Sequence, residues 1–439
     1  MRRASGLSTG ALAFGAVLAL TACDRHGGSD GPAPKPIPLP ARPAASRVAP
    51  TAPVARPAAA RSADPSEGLS VSELPQEESP APTASAGAAS TPSKVVIDEA
   101  LVIGPAGQMT ADEHGVVMID RNDELHIAKR LALGSGPRPE RARFSSVSGG
   151  PNDYFAVARG PLLLRGKAYW VSDGKLVRRV FDSSTPLEIL ARDARNGTRV
   201  AGADLAGAPA NAVYVTRPKS DDAPPRASLW VEGVGSELLS PEGAGASSVA
   251  VASTGEALFT IAIDARSAMT PLHGRRVHFN AGKPELAPDV VMWVGASSQT
   301  LSEVFASTTP YGVRAFLPIE RDISHFGLVM LELGSEPRMD PKAVWRGYPN
   351  GIDVAPVASG ALCGSAFVAY VRPENPSPDA PEVLELAEVS EAGLGPAETV
   401  ASARGFSNVS LGAASNSAVL AYVADYQTFA TSIRCRPRK

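Results

Sequence analysis

The chain has 439 residues, a formal net charge of −3 and an aromatic content of only 5%. A near-neutral charge, with no basic stripe in the C-terminal part, predicts that nucleic acid is not a partner. The sequence has six histidines and three cysteines but no HExxH, CxxC, GxSxG or glycine-rich phosphate motif, so it predicts neither a metal site nor a cofactor.

The amino end carries the features of an export signal. Arg2 and Arg3 are basic, residues 11–20 are apolar (ALAFGAVLAL), and small residues precede Cys23. The apolar run is about half of the roughly 20 residues that a membrane-spanning helix needs. We therefore expect residues 1–22 to be a signal peptide that is removed.

Four residues at the end of this signal, Leu20, Thr21, Ala22 and Cys23, resemble the lipobox of bacterial lipoproteins. The resemblance implies cleavage before Cys23 and attachment of diacylglycerol to its sulfur. Acyl chains such as palmitate, at about 0.8 kcal/mol per buried methylene, would then hold the chain on a membrane. The implied location is the bacterial cell envelope, at the inner or outer membrane, facing the periplasm or the cell surface. The alternative is an ordinary secretory signal with an incidental cysteine.

Residues 23–93 form the second predicted region, a disordered linker. Alanine and proline dominate it, and after Cys23 it contains no aromatic residue. Such a composition cannot bury enough apolar surface to offset the entropy lost on ordering. At about 3.1 Å per residue in an extended polyproline form, the linker would reach on the order of 200 Å, and as a coil about 50 Å. Its basic first half would either lie on anionic headgroups or be solvated.

Residues 94–439 form the third predicted region, and their pattern is all-β. Short runs rich in Val, Leu, Tyr and Trp alternate with Gly, Pro, Ser and Asp, and no run keeps helical apolar spacing. The runs also repeat. Pairs of strands joined by a turn begin at Met118, Tyr169, Leu229, Met292, Leu331 and Leu384.

Strands of small residues precede several of these pairs, for example from Val200 and from Val249. One period of about 50 residues therefore holds about four strands, a to d, which resembles a blade of a β-propeller. The last unit, from Phe406, lacks an outer strand, and residues 95–102 (VVIDEALV) are predicted to supply it. The predicted fold is a β-propeller of about seven blades, with six and eight as neighbouring counts. No WD40, kelch or sialidase signature is present, so no family function comes with the fold.

Cys363 and Cys435 are the thiols that remain once Cys23 is acylated. In an exported protein such an even pair predicts a disulfide, here between the last two blades. The alternative is a pair of buried free thiols.

Three predicted connections between strands b and c are long: residues 217–226, 266–285 and 372–382. Long loops on one rim of a rigid scaffold often carry binding groups. The alternative is a drift in loop length without function. The second connection predicts a positive patch for an acidic glycan or a carboxylate-rich protein, with the members His273, Arg275, Arg276, His278 and Lys283.

Two functional hypotheses follow. The first is a monomeric, membrane-anchored, non-enzymatic scaffold that binds an envelope protein or a cell-wall glycan. The alternative is a carbohydrate-active hydrolase or lyase, which needs two convergent acid/base groups. The predicted inner strands offer only Asp204 and Asp353 for that role, so the enzyme hypothesis ranks second.

Overall fold

Strands and tight turns alternate over the C-terminal region, and no helix among the described residues has the length and apolar character of a membrane span. The computed structural model describes residues 94–112, 115–120, 124–129, 160–181, 185–220, 223–264, 271–294, 300–301, 303–322, 325–334, 337, 339, 341–347, 354–375 and 380–437. The predicted signal peptide, Cys23 and the predicted linker lie outside these residues.

The first two strands of the chain belong to the last blade. They are β1 (Val95–Ile97) and β2 (Leu101–Pro105), and the sheets that follow are antiparallel. The strands of blades 1 to 3 are β3 (Gln108–Asp112), β4 (Gly115–Ile119) and β5 (Leu125–Lys129) in blade 1; β6 (Leu162–Leu164), β7 (Lys167–Ser172), β8 (Lys175–Val180) and β9 (Glu188–Ala191) in blade 2; and β10 (Asn211–Val215), β11 (Ala227–Val231) and β12 (Gly235–Leu238) in blade 3.

Blade 3 has an additional inner bridge at Ala201, whose N–H donates to the carbonyl of Val213 at 2.9 Å. The strands of blades 4 to 7 are β13 (Ser248–Ser253), β14 (Leu258–Ile263), β15 (Pro271–Asn280), β16 (Lys283–Leu286) and β17 (Val290–Val294) in blade 4; β18 (Thr300–Leu301), β19 (Phe305–Thr309), β20 (Gly312–Asp322), β21 (His325–Gly334) and β22 (Lys342–Gly347) in blade 5; β23 (Val354–Leu362), β24 (Ser365–Pro373), β25 (Glu382–Ser390) and β26 (Gly393–Ala403) in blade 6; and β27 (Phe406–Ala414), β28 (Ser417–Ala424) and β29 (Gln427–Cys435) in blade 7.

Both ends of the described chain meet in blade 7 and close the ring. β1 pairs with the end of β29, with Val95 opposite Cys435, and β2 pairs with its beginning, with Leu101 opposite Ala430. Together they form the outer strand that blade 7 otherwise lacks. Each blade contacts the next, and β27 of blade 7 contacts β3 of blade 1. The prediction of an all-β, seven-bladed β-propeller is confirmed.

Glycines let the inner parts of neighbouring blades approach each other closely. A Cβ atom on Gly412 of β27 would lie 2.3 Å from the Cα of Asp112 in β3, and one on Gly160 would lie 1.8 Å from the carbonyl oxygen of Met109. Any larger residue would push the backbones apart. This crowding explains why small residues mark the inner strands in the sequence.

Cys363 and Cys435 form a disulfide, with their Cα atoms 5.5 Å apart. Cys363 lies in the turn between β23 and β24 of blade 6, and Cys435 is the last residue of β29 in blade 7. The bond links two adjacent blades next to the ring closure. The predicted disulfide is confirmed.

Candidate functional site

A strand lies where the sequence predicts the longest loop. Residues 271–285 are not part of a connection between strands b and c, because Pro271–Asn280 is the third strand of blade 4 and Lys283–Leu286 runs back beside it. The first five residues of the predicted loop, 266–270, lie outside the described residues. Leu272 and Val277 are fully buried and hold this strand in the sheet, whereas its polar residues are partly exposed. The strand therefore lacks a strong apolar alternation, and the loop prediction is wrong. The connections near residues 217–226 and 372–382 do join the second and third strands of blades 3 and 6.

The Met292 segment differs from its prediction as well. It is not a hairpin within one blade, since β17 pairs with β15 in blade 4 whereas β18 pairs with β20 in blade 5. Blade 4 thus has an outer strand in two pieces, β16 and β17, both paired with β15.

The strand β15 divides the predicted positive patch between two faces of one sheet. His273 and Arg275 line a depression that blade 3 also lines. Arg276 and His278 have the opposite parity along the strand, and side chains alternate between faces in a strand. Lys283 is exposed at the start of β16. The structure therefore brings together only two of the five predicted residues.

The depression between blades 3 and 4 is narrow, with a cavity volume of about 10 Å³, which is roughly the room of one water molecule. Small and aliphatic side chains form half of its lining, and side chains with hydrogen-bonding groups form the other half. The apolar members are Val213, Ala227, Leu239, Ile261 and Ala262, and the polar members are Ser240, Thr260, His273, Arg275 and Asp289.

His273 and Asp289 form a hydrogen-bonded pair in this depression. The Nδ1 atom of His273 lies 2.7 Å from Oδ2 of Asp289, and the two side chains are 12% and 14% exposed. A carboxylate on Nδ1 fixes the orientation and tautomer of an imidazole and leaves Nε2 for another partner. This arrangement suits a histidine that exchanges a proton with a bound molecule.

The interruption between β16 and β17 positions Asp289. The segment 287–289 lies between these two strands, and the N–H of Ala287 donates to the carbonyl of Arg276 at 3.0 Å. Irregularities of this kind in a sheet redirect side chains. Sequence analysis missed Asp289, although Pro288 directly before it, which cannot donate to a ladder, is a signal of an interrupted strand.

Arg275 is half-buried at this depression. Its Nε atom is buried without a hydrogen-bond partner among the described residues, as is the Nε atom of Arg226 and of Arg314. The carboxylate of the lining, Asp289, is bonded to His273. The lining of the depression therefore carries the guanidinium of Arg275 and the carboxylate of Asp289 together.

The opposite side of the depression is held rigidly by hydrogen bonds of blade 3. The Nη2 atom of Arg226 donates to the carbonyls of Ser240 and Pro241 at 2.7 and 2.9 Å. The hydroxyl oxygen of Ser240 accepts from the N–H of Ala227 at 2.8 Å. No acceptor for the Ser240 hydroxyl proton is found among the described residues, so this proton is available to a ligand.

The acids predicted for the enzyme hypothesis do not form a pair among the described residues. Asp204 is exposed and bonds to Nη2 of Arg165 at 2.5 Å, and Asp353 lies outside the described residues. Within the part of the chain that the structure describes, no three His, Cys, Asp or Glu side chains come together as metal ligands.

No family model matches the chain, and no curated protein matches it. Among solved structures, a protein of unknown function from Dyadobacter fermentans DSM 18053 is 12% identical, with a TM-score of 0.42 over 78% of this chain and 100% of that one. Puromycin hydrolase (S511A mutant complexed with PGG) is 13% identical, with a TM-score of 0.43 over 73% of this chain. A prolyl endopeptidase is 15% identical, with a TM-score of 0.38 over 73% of this chain.

The chain spans 50% of the length of that puromycin hydrolase and 45% of that prolyl endopeptidase. At such identities and TM-scores the likeness is one of overall architecture and carries no argument about activity. The first-ranked hypothesis of a non-enzymatic scaffold is not borne out by these structures, two of which are named as a hydrolase and a peptidase. The hydrolase alternative replaces it, and its chemical basis has to come from the residues of the depression.

Proposed function

We propose that this chain is a carbohydrate-active hydrolase of the bacterial cell envelope, with its reactive centre in the depression between blades 3 and 4. The observation that carries the proposal is the hydrogen bond from His273 to Asp289 at the lining of this depression. Histidine is the side chain that most often acts as a general base near neutral pH, and a carboxylate on Nδ1 keeps Nε2 able to take the proton.

The reaction that suits one histidine base is the hydrolysis of an ester group on a glycan. Nε2 of His273 would remove a proton from water while the water oxygen forms a bond to the acyl carbon. The ester C–O bond then breaks, and the imidazolium returns the proton to the departing alkoxide. Asp289 would stabilise the positive charge on His273 between the two steps, and the hydroxyl of Ser240 would donate to the developing oxyanion. Cleavage of a glycosidic bond fits less well, because it uses two convergent carboxyl groups.

The location is part of the same proposal. The residues Leu20 to Cys23 support a lipid anchor, and the Cys363–Cys435 disulfide is typical of proteins in an oxidising compartment. An anchored propeller at the end of a long linker would reach glycan that lies away from the membrane surface.

The variants His273→Gln and Asp289→Asn test the catalytic assignment. The probes are O-acetylated galacturonan, acetylated peptidoglycan and 4-nitrophenyl acetate, with acetate release as the measurement on the full-length protein in detergent. We expect His273→Gln to lower kcat by about 100-fold or more. The double variant, His273→Gln with Asp289→Asn, should have nearly the same kcat as His273→Gln alone, since the two residues act as a unit.

Asp425→Asn is the matched control. Asp425 is exposed in the turn between β28 and β29 with a φ of 46°, a conformation that asparagine also adopts readily. The same change of charge there should leave kcat unchanged. A His273→Gln variant with wild-type kcat on every probe that the protein hydrolyses would reject the assignment, and so would a protein that hydrolyses none of the probes.

Replacement of the predicted lipidation site tests the location. Cys23→Ala should move the protein from the membrane fraction to the soluble fraction, because the acyl chains supply the membrane affinity in this proposal. Fractionation followed by immunoblotting measures the distribution. Membrane association that is unchanged in Cys23→Ala would contradict a lipid anchor at this residue.

A further inference from the structure

Four exposed cations lie on the rim of the propeller at which the second strand of each blade ends. Arg192 and Arg195 follow β9, the last strand of blade 2. Arg217 and Lys219 begin the connection between β10 and β11 of blade 3. All four residues are exposed, and none of them has a carboxylate within ion-pair distance among the described residues. We call this group of four the basic rim.

Hydrogen bonds between blades 2 and 3 hold the basic rim in place. The N–H of Arg195 donates to the carbonyl of Val215 at 2.8 Å, and the N–H of Arg217 donates to the carbonyl of Asp193 at 2.6 Å. The Nη2 atom of Arg217 also donates to the carbonyl of Arg192 at 2.7 Å. The segment after β9 is therefore fastened to the end of β10. Connections that a rigid scaffold positions in this way commonly carry binding groups.

The acids beside the basic rim have partners of their own. Asp173 lies 2.7 Å from Nζ of Lys175, and its hydrogen bond to this lysine lowers its pKa. Asp193 accepts a hydrogen bond from the hydroxyl of Tyr214 at 3.0 Å. Residues 221–222, which are both aspartates, lie outside the described residues. The described surface thus has an excess of positive charge, although the whole chain carries −3, and such a patch attracts polyanions.

The basic rim continues toward the depression between blades 3 and 4. The N–H of Thr216 donates to the carbonyl of Arg226 at 2.7 Å, so the two ends of the connection 217–226 meet. Arg226 in turn donates to the carbonyl of Ser240, which lines the depression. Because the depression has the room of about one water molecule, a larger ligand would lie across the rim and cover the depression from outside.

We propose that the basic rim binds a polyanionic glycan, a polysaccharide that carries carboxylates along its chain. The planar guanidinium of arginine presents parallel N–H groups that match the two oxygens of a carboxylate. The repeated carboxylates of one polymer contact several cations at once, which raises the affinity above that of a single unit. The proposal rests on the proposed function where it names the class of substrate, whereas the binding itself needs no hydrolysis.

The position of the proposed membrane anchor favours a glycan over an anionic lipid surface as the partner. The carbonyl of Lys94, the first described residue, accepts from the N–H of Arg436 at 2.8 Å, directly after β29. β29 is the third strand of its blade, and third strands end at the rim opposite to the one where second strands end. The chain therefore continues toward the proposed anchor from the rim that faces away from the four cations.

Binding of a polymer without ester groups tests the inference. The full-length protein in detergent is titrated by calorimetry with fully de-esterified polygalacturonate, with the galacturonate monomer and with neutral galactan. We expect polygalacturonate to bind, the monomer to bind at least 10-fold more weakly, and galactan not to bind. The binding should weaken as the salt concentration rises, because salt screens exposed charges.

A triple variant of the basic rim tests which residues bind. The side chains that change make no hydrogen bond to the described residues, and Arg217 is kept because it bonds to the neighbouring backbone. The variant should bind polygalacturonate about 10-fold or more weakly, since each exposed ion pair contributes a factor of about 2 to 5. Its changes are Arg192→Gln, Arg195→Gln and Lys219→Gln.

A second triple variant is the matched control, because it removes three exposed cations of other blades that also lack a described carboxylate partner. It changes the net charge equally and should bind like the wild-type protein. Thermal unfolding establishes that both triple variants fold. The control changes are Lys283→Gln, Lys342→Gln and Arg404→Gln.

Four results would overturn the inference. They are no binding of polygalacturonate, equal binding of neutral galactan, equal binding of the monomer, or wild-type affinity in the variant of the basic rim. Vesicles rich in phosphatidylglycerol that bind through the basic rim, while polygalacturonate does not bind, would assign the surface to a membrane instead.

The outcome is separable from that of the proposed function. Binding of polygalacturonate that depends on the basic rim, in a protein that hydrolyses no ester, would reject the catalytic proposal alone. Hydrolysis that depends on His273, in a protein whose affinity for polygalacturonate does not depend on the basic rim, would reject the glycan surface alone.

Discussion

Deletion of residues 94–105 should abolish cooperative folding of the propeller. The deletion removes β1 and β2, which supply the outer strand of blade 7 through pairs with β29. It also removes Val95 and Ile103, which are each only 1% exposed. Burying a side chain of this size stabilises a protein by about 1.5–3 kcal/mol. With the ladder hydrogen bonds, the total loss is about 5 kcal/mol or more, which is comparable to the stability of a whole domain.

The exposed edge adds a second effect. Without β1 and β2, the full length of β29 would present unpaired N–H and C=O groups, and such edges pair with other chains. We therefore expect the deletion variant to aggregate and to lack a sharp unfolding transition in urea, followed by circular dichroism.

An equally long deletion within the predicted linker, residues 74–85, is the control for the shortened chain. Because these residues precede β1, this second deletion should leave the unfolding midpoint unchanged. A 94–105 deletion variant that is monomeric and unfolds at the wild-type midpoint would show that the stability of the propeller does not depend on the pairing of β1 and β2 with β29.

Loss of the disulfide should have the next largest effect on stability. Cys363→Ser combined with Cys435→Ser opens a covalent loop between residues 72 positions apart. The chain-entropy model gives about 4 kcal/mol for a loop of this length. Urea unfolding of the double variant, compared with the wild-type protein, measures the difference in the free energy of unfolding.

The wild-type protein under strong reducing conditions should behave like the double serine variant, because both lack the same cross-link. The double variant is preferable to either single variant, since a lone cysteine would add a reactive thiol. A difference below about 1 kcal/mol between the double variant and the oxidised wild-type protein would show that the bond adds little to what the paired strands of blade 7 already provide.

The architecture could be predicted from the sequence because the relevant signals are local and repeat. The unit from Phe406 ends after its third strand, and residues 95–102 (VVIDEALV) precede the first predicted hairpin and have no blade of their own. Small residues mark the inner strands because any Cβ at positions such as Gly412 would collide with the next blade. Closure and blade number follow from these features together.

The candidate site could be predicted only in part because its features depend on pairing between strands. β15 buries Leu272 and Val277 completely, but most of its other residues are polar and half-buried, so its sequence resembles a polar loop. The contact of His273 with Asp289 arises from an interruption of the outer strand 16 residues later.

The most direct test of the central claim is hydrolysis in water labelled with oxygen-18. The full-length protein is incubated with O-acetylated galacturonan, and the released acetate is analysed by mass spectrometry. Attack of a water activated by His273 on the acyl carbon predicts acetate with one labelled oxygen, formed by the wild-type protein and by Asp425→Asn and lost in His273→Gln. Unlabelled acetate, an unsaturated sugar product that indicates elimination, or labelled acetate from His273→Gln at the wild-type rate would contradict the proposed mechanism.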